Sequence, residues 1–141
     1  MSAHKLGPLI VSFLLLTGCG GEWIDDKGNF KRVFGFDKPA EVRVIRSYYW
    51  KSSHWSVEYK YYIELETPSS FFDHLTDPKL MDSSTAEIAA RADCTANSSK
   101  PSWFLSKPLN EYQAWIPKGK SDYRLFREKP DGKLFICAMR L

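Results

Sequence analysis

The chain has 141 residues and a formal net charge of +3, with 43% hydrophobic and 26% charged residues. Such a chain holds one hydrophobic core, and it is neither disordered, nor a polytopic membrane protein, nor a strongly basic nucleic-acid binder. Aromatic residues are plentiful at 15%, with five Trp, seven Tyr and nine Phe, and the three cysteines make an odd number.

The amino terminus carries Lys5 as its cationic part, followed by an apolar run from Leu9 to Leu16 broken only by Ser12. A bilayer core needs about 20 apolar residues in a helix, so the run is too short to span it and reads as the apolar part of a secretory signal. It ends in Leu16-Thr17-Gly18-Cys19, an aliphatic residue and two small residues before a cysteine. In this the chain resembles the bacterial prolipoproteins. The resemblance covers residues 1–19. It implies cleavage before Cys19, a diacylglyceryl thioether on its sulfur and an acylated (palmitate-type) amino group, with no cofactor beyond this lipid. Gly20, where an aspartate would retain such a protein at the inner membrane, implies the outer membrane, facing the periplasm.

Under that resemblance the mature chain is residues 19–141, with a net charge of +2 once Lys5 is gone. With Cys19 taken by lipid, Cys94 and Cys137 remain, and in an oxidising envelope they are expected to form one disulfide rather than stay as separate thiols. The expected organisation is a signal peptide over 1–18, a lipidated tether over 19–29 and a single domain over 30–141.

Within the domain, residues 55–66 alternate strictly, with Trp55, Val57, Tyr59, Tyr61, Ile63 and Leu65 on one register. Period two predicts a half-buried antiparallel strand. Residues 42–50 repeat the pattern more weakly, and Lys51-Ser52-Ser53-His54 joins the two as a hairpin. Ser70, Phe71, Phe72 and Leu75 predict a short helical turn ending before Asp77-Pro78, which is followed by Ser84 and Glu87 at the spacing of a capping box. The alanine-rich run that follows, through Cys94, predicts a helix.

Three further strands are expected over 111–116, 122–127 and 133–140. The last two are joined by Lys129-Pro130-Asp131-Gly132, a strong turn sequence. The final strand is apolar on both registers, which places it centrally or under a helix. The sum is an α+β domain: a small antiparallel sheet of about five strands in the order β-β-α-β-β-β, with helix packed on one face.

Chemistry is harder to find. Past the signal segment the histidines are His54 and His74, and no nucleophile elbow, paired-histidine metal motif or phosphate loop occurs. A zinc site built from both histidines and both cysteines would lack a closely spaced ligand pair. Glu58, Glu64 and Glu66 lie on one strand register, where a solvated face is the simpler reading than a glycosidase pair.

The residues singled out as a binding surface are Tyr49, Trp50, His54 and Tyr62 in the aromatic hairpin, and Arg124, Arg127, Lys129 and Lys133 around the last turn. Tyr49 and Tyr62 fall on the polar registers of their strands and are expected to be exposed. Exposed Tyr and Trp suit recognition of proteins or sugar rings, and a basic cluster suits anionic headgroups, lipopolysaccharide or an acidic protein. The expected function is therefore a non-enzymatic protein-binding or assembly module, either an accessory of an envelope complex or an immunity-type inhibitor. A peptidoglycan- or glycan-binding module is the alternative, and a small periplasmic hydrolase ranks last.

Overall fold

A computed structural model describes residues 20–53, 57–119 and 122–141; Cys19, the signal sequence and His54 lie outside these residues. The aromatic hairpin forms from strands β2 (Arg43–Lys51) and β3 (Tyr59–Glu66), but Lys51 belongs to β2 and β3 begins four residues later than the alternation from Trp55 predicts; Trp55 lies outside the described residues. The closing meander is β5 (Tyr112–Pro117), β6 (Tyr123–Glu128) and β7 (Leu134–Arg140). The predicted turn joins the last two, with the Gly132 amide donating to the Glu128 carbonyl at 2.8 Å. β7 is buried from Leu134 to Met139 and lies between β3 and β6 at the centre of the sheet, as a strand apolar on both faces must.

Among the described residues the sheet has seven strands, two more than expected. The additions are its two edges, β1 (Gly21–Ile24) and β4 (Met81–Thr85), and the order is β1-β2-β3-β7-β6-β5-β4, antiparallel throughout. The segment expected as a tether is therefore part of the fold: Gly21 pairs with Lys51 and Ile24 with Tyr48. Four and five residues are too few to display a period, and β4 reads Met-Asp-Ser-Ser-Thr with one buried apolar residue. Both strands are held by the backbone groups of a longer neighbour.

The helices also depart from expectation. α1 (Asn29–Phe34) forms where the apolar residues show no clean period, and it ends at Gly35, whose φ of 79° is the left-handed conformation that glycine adopts freely. α2 (Ser69–Leu75) is the expected turn before Asp77-Pro78. The alanine-rich run does not make one helix: it divides into α3 (Ala86–Ala89) and α4 (Asp93–Ala96) around an extended Ala92. Pairing of β4 with β5 runs through Thr85, so Ser84 stays in the strand. Thr85 is the cap instead, its Oγ1 accepting from the Ile88 amide at 3.3 Å. Extension at Ala92 carries Cys94 to β7, where its Cα lies 5.9 Å from that of Cys137 in the expected disulfide.

Both faces of the sheet are covered, not one. On the disulfide face α3, α4 and the segment 97–111 enclose Tyr62, Phe104, Tyr112, Phe126, Phe135 and Cys137. On the opposite face α1 and α2 enclose Phe30, Ile63, Leu65, Phe71, Leu125 and Ile136. α1 is fastened by a fully buried asparagine: Asn29 Nδ2 donates to the Trp23 carbonyl at 2.9 Å and to Ser47 Oγ at 3.0 Å, linking helix, β1 and β2. Replacing Asn29 by leucine strands these acceptors away from water. The expected cost is about 2–3 kcal/mol, read as a lower urea midpoint at unchanged slope.

Candidate functional site

Period two assigns every strand side chain to a face, and the register then decides which of the singled-out residues meet. Tyr49 pairs with Tyr61 and lies on the α1–α2 face; Trp50 pairs with Lys60 and lies on the disulfide face. Tyr62 is not exposed. It is fully buried on the disulfide face, where its hydroxyl donates to the Cys94 carbonyl at 2.8 Å. Its register looked polar because Lys60, Glu64 and Glu66 share it, but α4 and Phe104 cover the sheet at that point.

The cations near the last turn are engaged within the fold. The Arg127 guanidinium lies 4.1 Å from the centroid of the Phe72 ring and 3.3 Å from Asp131. Lys129 Nζ donates to the Asn110 carbonyl at 2.9 Å, and Arg124 donates to the Tyr123 carbonyl at 2.8 Å. Lys133 Nζ sits 3.0 Å from Glu64, a nearly buried carboxylate that Arg46 also approaches at 3.7 Å. This bond to Glu64 holds the Lys133 ammonium above the ordinary lysine range. Glu66 is paired with Arg43 at 2.5 Å, so the two neighbouring carboxylates on β3 are each held by a cation across the strand pair. The seven of these residues that are described occupy two faces and both ends of the sheet, and they do not form one surface.

A different set does converge. α1 and α2 have six and seven residues and reach only about 10 Å each along the sheet, so the end of the α1–α2 face near Lys51 is only partly covered and its aromatic side chains are half-buried. There Trp23 from β1, Tyr49 from β2, and Tyr61 and Tyr59 from β3 form a row. The Trp23 and Tyr49 rings are 6.0 Å apart, Tyr49 and Tyr61 lie parallel at 6.1 Å, and Tyr61 and Tyr59 are nearly parallel at 6.1 Å. A cation closes each end: Arg32 lies 4.4 Å over Trp23, and Arg140 lies 5.8 Å from the Tyr59 ring, held by Asp122 at 3.1 Å. Arg32 is itself held by Asp26 at 2.6 Å, and this bond keeps the Asp26 carboxyl below its ordinary range.

Of this row only Tyr49 was singled out in the sequence. Alternation puts Tyr59 and Tyr61 on the core register, and Trp23 falls in the segment expected as a tether. No local pattern joins them, because the row exists only once β1 docks on β2.

Burial raises the Tyr61 phenol, reinforced by the neighbouring Tyr59 and Tyr123, and raises the Tyr49 phenol beside Tyr59. Burial also pushes Tyr62 up to about 12, and together with Glu22 it pushes Tyr48 up to about 12. A tyrosine in the unfolded chain ionises near pH 10, so between about 10 and 12 the unfolded state holds fewer protons than the folded one. Stability is then fully present below pH 10 and falls as pH rises. In an alkaline titration, phenolate absorbance from these residues is expected to appear together with loss of near-ultraviolet circular dichroism. Complete tyrosine ionisation with the fold intact would contradict their burial.

No protein-family model matches the chain, and comparison with curated proteins and with solved structures returns no match.

Proposed function

We propose that this chain is a lipid-anchored protein of the bacterial envelope whose domain is a non-enzymatic, protein-binding module. The anchor rests on the prolipoprotein-like sequence ending in Cys19, where two or three acyl chains, at about 0.8 kcal/mol per buried methylene, hold a protein to a bilayer for practical purposes permanently. The observation that carries the binding role is the row of Trp23, Tyr49, Tyr61 and Tyr59 with Arg32 and Arg140 at its ends. Trp, Tyr and Arg dominate the energetics of protein interfaces, since they bring large contact area with few rotatable bonds and a polar end. Here their rings are ordered against one another before any partner arrives, which lowers the entropy lost on binding. An accessory of an envelope complex and an immunity-type inhibitor are both binders of this kind.

Two measurements test the reading. The change Cys19→Ser is expected to abolish incorporation of labelled palmitate; retained labelling rejects the anchor. For the domain, envelopes solubilised in detergent are passed over the immobilised lipoprotein. A stoichiometric protein partner is expected, its affinity reduced roughly tenfold or more by Trp23→Ala or Tyr49→Ala. A partner bound equally well by both variants rejects the row as the interface. Co-sedimentation with purified peptidoglycan, lost in the same variants and with no protein captured, would replace the protein-binding role with a glycan-binding one.

A further inference from the structure

We propose that the sheet end at which β1 begins is seated in the headgroup layer of the membrane, with Val57 and Leu141 entering it. The inference rests on the reading of Cys19 as the lipid-bearing residue. Its geometric core is the missing tether: Cys19 is one residue from Gly20 and two from the first residue of β1. Gly20 is pressed against the end of β2, so closely that a Cβ there would collide with the Ser53 backbone. One residue spans about 3.8 Å between Cα atoms, so the acyl chains cannot enter a bilayer unless this end of the sheet lies at its surface.

The register shows what else occupies that end. Gly21 pairs with Lys51, Lys51 with Tyr59, and Tyr59 with Arg140, so four adjacent strands terminate together over three interstrand spacings, roughly 14 Å. Just beyond these positions lie Val57, 63% exposed, and Leu141, 75% exposed, two of the most exposed large apolar side chains among the described residues. Tyr59 flanks them on the α1–α2 face and Trp50 on the disulfide face. Lys60 Nζ lies 5.8 Å from the Trp50 ring. Apolar tips, amphipathic rings set back on both sides and long cationic chains among them match the order of environments from acyl boundary to headgroup to water.

Charge has a minor part. Arg140 is paired with Asp122, and Glu58 and Lys51 line one shallow depression at this end, so apolar entry more than attraction to anionic lipid orients the domain. The interfacial row then stands beside the membrane, and a partner docked on it lies at the bilayer surface too.

The test uses the full lipidated chain in vesicles of phosphatidylethanolamine and phosphatidylglycerol at about 3:1. Single cysteines are placed at Val57, Leu141, Phe36 and Ile88, all exposed, the last two toward the opposite end of the fold. Each is labelled with a fluorophore and quenched by lipids carrying a nitroxide near the headgroup. Interfacial seating buries side chains by about 5–10 Å, so quenching at positions 57 and 141 is expected to exceed that at 36 and 88 roughly threefold or more, with little change at high salt. Equal quenching at all four sites, or stronger quenching at 36 and 88, overturns the seating while leaving the anchor intact. Absence of palmitate from Cys19 in the same preparation removes the anchor and the seating together.

Discussion

Phe104→Ala is expected to cost the domain about 3–5 kcal/mol, and with it roughly 12–20 °C of Tm. Phe104 is fully buried although it belongs to no helix or strand, and it forms the centre of the disulfide-face core. Its ring meets Tyr62 at 5.1 Å, Phe135 at 5.8 Å and Phe126 at 6.4 Å, all edge-on, the arrangement that aromatic quadrupoles favour. Segment 97–111 has its long-range bonds near its ends, at Asn97, Ser99, Lys107, Asn110 and Glu111, whereas the Phe104 amide and carbonyl bond only to Pro101 and Lys100, neighbours in the same turn. The next residue, Leu105, has a φ of 52°, a conformation that costs a leucine free energy and persists because its side chain is buried in the same cluster. Removing the ring therefore leaves a cavity under the segment and releases the segment from the sheet. Equilibrium urea unfolding of the variant, with Phe104→Leu as a smaller perturbation, measures the effect. A loss below about 1 kcal/mol would show that the segment does not depend on this ring.

Loss of the Cys94–Cys137 bond is the second large effect. The cysteines are 43 residues apart, and closing a loop of that size removes about 4 kcal/mol of conformational freedom from the unfolded chain, within an observed range of about 2–5 kcal/mol. α4 has only four residues and cannot be stable alone, so its place on β7 depends on this bond and on the hydrogen bond from Tyr62 to the Cys94 carbonyl. The double change Cys94→Ala, Cys137→Ala keeps both buried positions apolar. It is expected to lower the urea midpoint by the equivalent of those 2–5 kcal/mol, whereas Tyr62→Phe removes about 1 kcal/mol. Both sulfurs are buried, so added reductant should act on the native protein only as fast as it unfolds. Two free thiols in the unfolded, unreduced protein would rule out the bond.

The two predictions differ in how much the sequence foretold. The pairing of Cys94 with Cys137 follows from counting, once the resemblance of residues 1–19 sets Cys19 aside. Phe104 has no periodic context and sits in what reads as a loop. The same contrast runs through the candidate site. β2 and β3 are legible because eight or nine alternating residues repeat a pattern that only a strand satisfies. The same rule misplaces Tyr62, which is fully buried. Alternation identifies a face by the company it keeps, and the charged residues on that face are carried at its margins while Tyr62 lies under Phe104 and α4.

The patterns legible along the chain are local and repetitive: a long hairpin, a three-stranded meander with its Pro-Asp-Gly turn and a central strand apolar on both sides. Each signal acts within a few residues and survives without knowledge of the rest. Tertiary structure alone decided the two edge strands, the division of the alanine-rich helix, the covering of both faces and the row from Trp23 to Tyr59. Edge strands as short as β1 and β4 are specified by the unsatisfied backbone groups of a neighbour, not by their own side chains. A half-buried row is specified by what covers it incompletely, here two helices too short to reach the end of the sheet.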